Sequence, residues 1–360
     1  MSIKTVTIDR LWTGRRLSYP IFLSFVTALL VYMDSGYAWR KALEGRDPLV
    51  SEVQGSGDSL STVVLSFAGD CTFANHFEDY VGDRFGYPFE RFDLLSKADI
   101  SMVNLENPIT QRTQRVKKQF NFKMNPKYLG VLQSAGIDIV TLANNHIFDY
   151  GPEGLLDTIH SLDSVGIKHV GAGRSLEEAR KGVLFDIKGF RIGFLGCFGA
   201  GTFAATSSQA GVAPRSEAMV TRDIQSLKQI DKADYVAVSI HWGTEKALYP
   251  QEWQVNLAHS VVDAGADLVV GHHAHVLQGI ERYKNASIAY SLGNFLFGGN
   301  SRSTYDTAVL KVELGRGVRR ISIVPIHVKD WQPLVLSGSE GERVVALVRD
   351  RSRRFRESIF

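Results

Sequence analysis

Two cysteines in 360 residues cannot build a disulfide framework or a cysteine-rich zinc site. Net charge is also scarce: 41 Lys and Arg face 38 Asp and Glu, a formal +3. There is no zinc-finger spacing, no RNP motif and no basic recognition helix, so nothing points to nucleic acid. No fixed-period repeat is visible. With 44% hydrophobic and 22% charged residues, wholesale disorder, collagen and coiled coil are excluded as well. The length allows one large domain or two small ones.

The small excess of charge has an address. Residues 1–33 hold Lys4, Arg10, Arg15 and Arg16 against Asp9, which accounts for all of it, so residues 34–360 balance. Leu17–Met33 (LSYPIFLSFVTALLVYM) then runs without a single charge. A basic stretch before an apolar run is the pattern of a secretory signal or an uncleaved membrane anchor. The run is short for a spanning helix of about 17–25 residues and long for a signal core of about 7–15. Gly36-Tyr37-Ala38 offers small residues to a signal peptidase. A buried core helix is the plain alternative, and the adjacent Arg15 and Arg16 speak against it. The expectation is an anchor, with the N-terminus in the cytoplasm and the bulk of the chain outside. Cleavage would instead leave the protein secreted or periplasmic.

The chain divides accordingly. Residues 1–38 form the basic and hydrophobic signal or anchor segment. Residues 39–62, with Asp47-Pro48 and Gly55-Ser56-Gly57, read as a polar linker. A folded domain over 63–330 follows, then a C-terminal extension over 331–360. Its tail Arg349–Arg356 carries five Arg against one Asp and reads as frayed surface.

Buried-strand runs recur at Val63–Ala68, Ile137–Leu142, Ile192–Gly196, Tyr235–Ile240, Asp267–Val270 and Ile288–Ser291. Between several of them lie helical patterns. Leu155, Ile159 and Leu162 share one face, as do Trp253, Leu257, Val261 and Val262. Strands alternating with helices predict an α/β sheet protein. Thr307–Leu314 and Ile321–Val328 are strands without intervening helices, so part of the sheet is expected to be antiparallel.

Chemistry gathers where these runs end. The first reaches Gly69-Asp70, and Asp99–Val103 reaches Asn104-Leu105-Glu106-Asn107. Ile137–Leu142 reaches Ala143-Asn144-Asn145-His146, with Asp149-Tyr150-Gly151 beyond. Tyr235–Ile240 reaches His241-Trp242-Gly243, and Asp267–Val270 reaches Gly271-His272-His273-Ala274-His275. In α/β sheets ligands bind outside the carboxyl ends of the strands, so these side chains can converge. Imidazoles with carboxylates and an amide oxygen suit Zn, Mn, Fe or Ni better than Ca. Two such metals can activate water and stabilise the oxygens of a displacement, with a carboxylate as the natural bridge. Each residue also has a bland reading: Asp70 as a helix cap, Glu106 as a surface carboxylate, Asn144-Asn145 as turn formers, His241 as a hydrogen-bonded strand-end histidine. Three His within four positions, from a chain total of ten, resist that reading best.

The ordered motifs, completed by Ser291-Leu292-Gly293-Asn294-Phe295, resemble the CapA/PgsA capsule biosynthesis family, a branch of the calcineurin-like metallophosphoesterase superfamily. The resemblance runs from about Val63 to Ile326 and includes Gly171-Ala172-Gly173 and Glu177-Glu178-Ala179-Arg180. It implies a four-layer α/β/β/α sandwich of the metallo-dependent phosphatase type, with one or two divalent ions (Mn, Fe or Zn) at one edge of the sheets. By the same resemblance Asp70 is the first aspartate ligand, Glu106 the bridge, Asn145 the asparagine ligand and His241 the mid-chain histidine. His273 and His275 form the closing pair, with His272 able to shift that register by one, and His146 protonates a leaving group. Two departures stand out. Thr72, after Cys71, occupies the place of a histidine ligand, and the bridge is a Glu in an Asn-Leu-Glu context. Cys71 offers a soft ligand or, more plainly, a buried thiol, and Cys197 reads as core.

Arg112, Arg115, Lys117, Lys118 and Lys123 crowd the segment between two site motifs. They read either as a solvated loop or as a lip that steers a polyanion, with Arg115, Lys117, Lys118 and His272 as the substrate-contacting candidates. Two functions fit. One is an extracytoplasmic protein of the bacterial cell membrane in capsule or poly-γ-glutamate biosynthesis or export, binding the anionic polymer beside membrane synthase or export subunits. The other is an active metal-dependent phosphoesterase or hydrolase acting on an envelope polymer.

Overall fold

Val63–Thr72 (β2, strands being numbered in chain order) is buried almost throughout, as a strand that opens on Val63-Val64-Leu65 must be when it runs through the middle of a sheet. Ile100–Leu105 (β3) pairs with it in parallel and Tyr305–Gly315 (β15) antiparallel. Outward from β3 lie Ile139–Thr141 (β4) and Lys168–Val170 (β5). Outward from β15 lie Val318–Lys329 (β16) and Ser51–Val53 (β1). Asn294–Phe297 (β14) adds to β2 and Gln332–Val335 (β17) to β16, completing a nine-stranded mixed sheet among the described residues. The antiparallel pairing of β15 with β16 accords with the strand pattern of the last third.

A second sheet has the order Ile280–Tyr283 (β12), Ala286–Ala289 (β13), Leu268–His272 (β11), Tyr235–His241 (β10), Phe190–Phe198 (β8) and Val183–Ile187 (β7). Its centre is parallel, with β10 between β8 and β11. Ala172–Gly173 (β6) and Gly211–Val212 (β9) form a separate pair. The computed structural model describes residues 51–53, 62–199, 201–299, 302–315 and 318–360. The expected anchor and most of the expected linker lie outside these residues. Among the described residues no helix is long and apolar enough to cross a membrane.

Among the described residues, period-2 alternation sorts most buried side chains into three large cores. Leu65, Phe67, Ile100 and Met102 of the first sheet meet Ile192, Phe194, Tyr235 and Ala237 of the second in a shared core between the sheets. On the far side of the first sheet, Val103, Leu105 and Val140 are covered by His76–Val81 (α1), Leu129–Ser134 (α2) and Gly151–Ser164 (α3), the last through Leu155, Ile159 and Leu162. Leu176–Arg180 (α4) sits beside β6. On the far side of the second sheet, Val236, Val238 and Ile240 are covered by Glu217–Gln229 (α5) and Glu252–Asp263 (α6). The α6 face is narrower than expected: Leu257, Val261 and Val262 are buried, but Trp253 is 39% exposed and carries Arg215 over its ring.

The C-terminus corrects the reading of a frayed tail. Gly338–Ser352 (α7) takes in the first half of the Arg-rich stretch, and its Val344, Val345 and Val348 enter the core between the sheets together with Ile359. Arg351 hydrogen-bonds the Leu277 carbonyl, and Ser358 bridges to Glu281. Arg343 and Arg353 stay exposed on an element that the core requires, whereas Arg351 turns inward to that carbonyl. Ser51–Val53 likewise pairs with β16, although it fell in the expected linker.

Candidate metal centre

The site begins with a one-residue slip. Phe67 faces Met102 across the β2–β3 pair, but Asp70 faces Asn104, so β2 carries one extra residue between them. Such a bulge reverses the alternation and re-aims whatever follows. Without it Cys71 would share the inner side with Leu65 and Phe67. With it Asp70 takes that side, and Cys71 turns into the core beneath the helices, where burial raises its thiol pKa. Gly69 lies inside the bulge, and a Cβ there would stand 2.0 Å from the Gly293 carbonyl oxygen. Gly271 is equally tight, 2.0 Å from the Tyr290 carbonyl. Each glycine lets a backbone approach just before a site residue.

In the second sheet the alternation is regular. It sends Tyr235 and Ala237 inward and carries His241 to the same side at the end of β10. Beyond β11 the backbone of His273 has φ 90° and that of His275 φ 56°, left-handed values that L-residues adopt only when their surroundings enforce them. The twist brings both imidazoles back over the strand ends.

Asp70 and Glu106 are fully buried at the centre. His272 Nδ1 lies 3.1 Å from Asp70 Oδ1, His275 Nδ1 lies 3.2 Å from Asp70 Oδ2, and the His273 N–H donates to Asp70 Oδ2. Asn145 Oδ1 is 2.9 Å from His241 Nε2. Burial alone would raise the Asp70 carboxyl, but hydrogen bonds from His272 and His275 hold it well below the usual carboxylate range. Glu106 goes the other way, because burial, reinforced by Asp70, pushes it well above. His241 and His273 are pulled down by burial and neighbouring imidazoles, which keeps a nitrogen lone pair free at neutral pH. Burial opposes protonation of His275 too, yet Glu106 and Asp70 push it up to about 9.

These residues fit a divalent cation. Glu106 Oε1 is buried with no hydrogen-bond partner, yet it lies 3.8 Å from both His241 Nε2 and His275 Nε2. Ligand atoms about 2.1 Å from one cation stand roughly 3–4 Å apart. Two triplets, Glu106–His273–His275 and Asp70–Glu106–His241, each bring one ligand atom per residue within 4.8 Å of one another. Glu106 belongs to both triplets, the position of a bridge. Nitrogen and carboxylate oxygen together suit Mn, Fe or Zn, whereas Ca takes oxygen alone.

His146 stands beside this cluster. Its Nδ1 lies 2.8 Å from Asp149 Oδ2, and the ring packs 4.2 Å from that of Phe122. Asp149 is fully buried, accepts the Phe122 N–H and forms an ion pair with Lys118. Lys118 also donates to the Asn145 carbonyl at 2.9 Å. Burial pulls His146 below its ordinary value against the pull of Asp149.

The basic segment divides under this geometry. Lys118 reaches the site through Asp149, Arg112 pairs with Asp157 and Lys123 donates to the Arg112 carbonyl. Arg115 and Lys117 are exposed. His272 is 3% exposed and lies against Asp70, so it orients that carboxylate and does not line a surface. Three residues escaped the sequence reading. Asn104 donates its amide to Asp70 Oδ1 and sits 3.3 Å from His241 Nδ1. Asn144 accepts the N–H groups of His146 and Ile147. Asn294 Oδ1 lies 2.8 Å from His275 Nδ1. All three stand inside quoted motifs, and for Asn104 and Asn144 an amide one or two positions from a candidate ligand was the available signal.

The model of the family described as "Bacterial capsule synthesis protein PGA_cap" matches residues 64–299. The chain is 30% identical over 349 residues to the capsule biosynthesis protein CapA of Bacillus anthracis, covering 93% of this chain and 83% of that one. It is 33% identical over 287 residues to the PGA biosynthesis protein CapA of Bacillus subtilis, covering 77% and 74%. Among solved structures, a 5'-nucleotidase precursor from Thermus thermophilus is similar over 81% of this chain and 59% of its own, at 12% identity and a TM-score of 0.43.

Proposed function

Since the chain belongs to the bacterial capsule synthesis protein family PGA_cap, we propose that it serves poly-γ-glutamate capsule synthesis or export through a divalent-metal site holding one or two ions of Mn, Fe or Zn. The names of the two Bacillus relatives support the biosynthetic role. The observation that carries the metal site is the buried, unpartnered Glu106 oxygen between two imidazoles. Asp70, Glu106, Asn145, His241, His273 and His275 are the assigned ligands. The fold assigned with them is the four-layer α/β/β/α sandwich of the metallo-dependent phosphatase type, supported by helices outside both sheets and a core between them. The protein is placed outside the cytoplasm on a single N-terminal anchor, next to membrane synthase or export subunits. The uncharged run after Arg15-Arg16 supports that placement.

The His146–Asp149 pair favours a second reading, a metal-dependent hydrolase of an envelope polymer or phosphoester. A divalent cation supplies Lewis acidity and lowers the pKa of a water. Asp149 accepts from Nδ1 and fixes the ring, which leaves Nε2 as the nitrogen able to exchange a proton with a leaving group. Lys118 pairs with the other oxygen of the same carboxylate. Phe122 covers the ring and limits its contact with water.

Metal analysis of the full chain purified in mild detergent tests the site. One or two equivalents of Mn, Fe or Zn are expected, and an Asp70→Ala/His273→Ala double variant should lose them. Unchanged metal content in that variant sinks the site. Phosphoesterase and γ-glutamyl hydrolysis assays on the loaded protein then separate the readings: a His146→Asn variant that keeps its metal and loses turnover identifies an enzyme, and no turnover in the parent protein leaves the biosynthetic role alone.

A further inference from the structure

Arg215 is a half-buried cation that neither the metal site nor the basic segment uses. Its backbone N–H donates to the Phe198 carbonyl, which places it alongside the end of β8, at the strand edge where the metal residues gather. The side chain reaches the end of β10 and stacks on Trp253 of α6, with the guanidinium carbon 4.3 Å from the ring centroid. Trp253 is itself held, its indole N–H donating to Gln251 Oε1 at 2.7 Å. Gly199 supplies the room, since a Cβ there would stand 2.9 Å from Arg215 Nη2.

What the guanidinium lacks is an anion. Among the described residues no carboxylate lies within ion-pair distance of it, and its hydrogen-bond contact is the His241 carbonyl at 3.5 Å from Nη1. A guanidinium carries five N–H donors in a planar fork, so nearly all of that capacity is unspent. Burial pulls its pKa down, the signature of a charge that is desolvated without compensation. Several arginines in the fold are answered by an acid, as Arg112 is by Asp157, Arg180 by Asp223 and Arg191 by Asp186. Arg215 is preorganised, cationic and one peptide unit from a ligand of the proposed metal site.

We propose that Arg215, held over Trp253, is a specificity residue that binds a carboxylate of the polymer neighbouring the group at the metal cluster. This rests on the poly-γ-glutamate reading above. A γ-linked glutamyl repeat has five backbone bonds where an α-peptide has three, so its carboxylates recur roughly every 6 Å when extended, scaling from the ~3.5 Å of an ordinary residue. A carboxylate accepts both arms of a guanidinium, whereas an uncharged polymer leaves the buried cation unanswered.

The test is calorimetric binding of poly-γ-glutamate, and separately of inorganic phosphate, to the full chain in mild detergent with its metal loaded. Arg215→Gln should bind the polymer roughly 10- to 100-fold more weakly with metal content unchanged. Arg215→Lys, which keeps the charge and the fold but loses the fork, should fall between the two. Trp253→Leu should weaken binding less than Arg215→Gln, because it loosens the fork without removing it. Polymer affinity in Arg215→Gln and Arg215→Lys equal to that of the parent overturns the inference and leaves the polyglutamate reading standing. A parent protein that fails to bind the polymer overturns that reading and the carboxylate assignment together. Phosphate binding that disappears with Arg215 would then correct the ligand of this residue to another oxyanion.

Discussion

Glu106→Gln separates the charge of the central carboxylate from its shape. The side chain is fully buried, one of its oxygens meets no donor, and burial pushes it well above the usual carboxylate range. Its ionised form therefore destabilises the folded protein unless a cation answers it, and an isosteric amide should leave the metal-free protein at least as stable. Metal binding should suffer instead. A cation at 100 times its dissociation constant stabilises the folded state by about 2.7 kcal/mol. Loss of a shared ligand, taken as roughly 100-fold in affinity by scaling up from outer-shell substitutions, reduces that to about 0.4 kcal/mol at the same concentration. At roughly 2 °C per kcal/mol for a domain of this size, the parent should gain about 5 °C on metal addition and the variant about 1 °C. Differential scanning calorimetry after chelation, with Mn, Fe(II) and Zn titrated back, reads both numbers directly. An equal metal-induced shift in the two proteins refutes the bridging position of Glu106, and no shift in the parent refutes the site.

Gly69→Ala forces a Cβ to within 2.0 Å of the Gly293 carbonyl oxygen, a backbone atom that cannot step aside. A loss of about 3 kcal/mol in urea denaturation, with weakened metal binding, is expected, and a neutral result would mean that the bulge does not aim Asp70. Asp149→Asn leaves Lys118 without its acid and should cost roughly 3 kcal/mol by the same assay, whereas Arg115→Gln on the exposed loop should change stability by less than about 0.5 kcal/mol. Ile359→Ala should cost about 2–4 kcal/mol, since Ile359 is 4% exposed in the core between the sheets, and a neutral outcome would restore the frayed tail. Asp306, which burial would raise, is held below the carboxylate range by His327 and Arg343. Its contribution, about 1 kcal/mol or less, is therefore present above pH ~4 and lost as pH falls through the lowered value, so Asp306→Asn should flatten the acid limb of stability against pH.

The legible parts of this chain are those whose neighbours announce them locally. β2 and β10 are continuous apolar runs because both of their faces are covered, and α3 shows its buried face through Leu155, Ile159 and Leu162. Motifs at the ends of such runs could be placed at one edge because parallel strands put their carboxyl ends together. The illegible parts depend on pairings with no local trace. Asp70 and His272 lie 202 positions apart, and Asp70 faces His272 only because β2 slips one residue against β3, which the motif Ala-Gly-Asp-Cys does not display. The C-terminal helix was hidden for another reason. The Arg-rich stretch Arg349–Arg356 overlaps its end and drew the reading toward charge, while Val344, Val345 and Val348 stand in a run too short to show a helical period. Arg215 belongs to no run at all, and its isolation from the acids of the described residues is a fact of three dimensions.

Thr72 joins these observations. A histidine is expected there by resemblance to the wider superfamily, and its absence looked like damage to one metal position. In the fold Thr72 is fully buried, its hydroxyl accepts the Gly299 N–H at 2.8 Å and its carbonyl accepts that of Gly298 at 2.7 Å. It thereby ties the end of β14 to β2, and β14 carries Asn294, which sits against Nδ1 of His275. The Thr72 side chain thus helps to hold the strand that orients His275. Restoring the family pattern with Thr72→His should therefore not add metal affinity. It should displace Gly299 and, through Asn294, loosen His275, so that metal binds more weakly than in the parent. A variant that binds a second equivalent more tightly would show that the position is simply a vacated ligand.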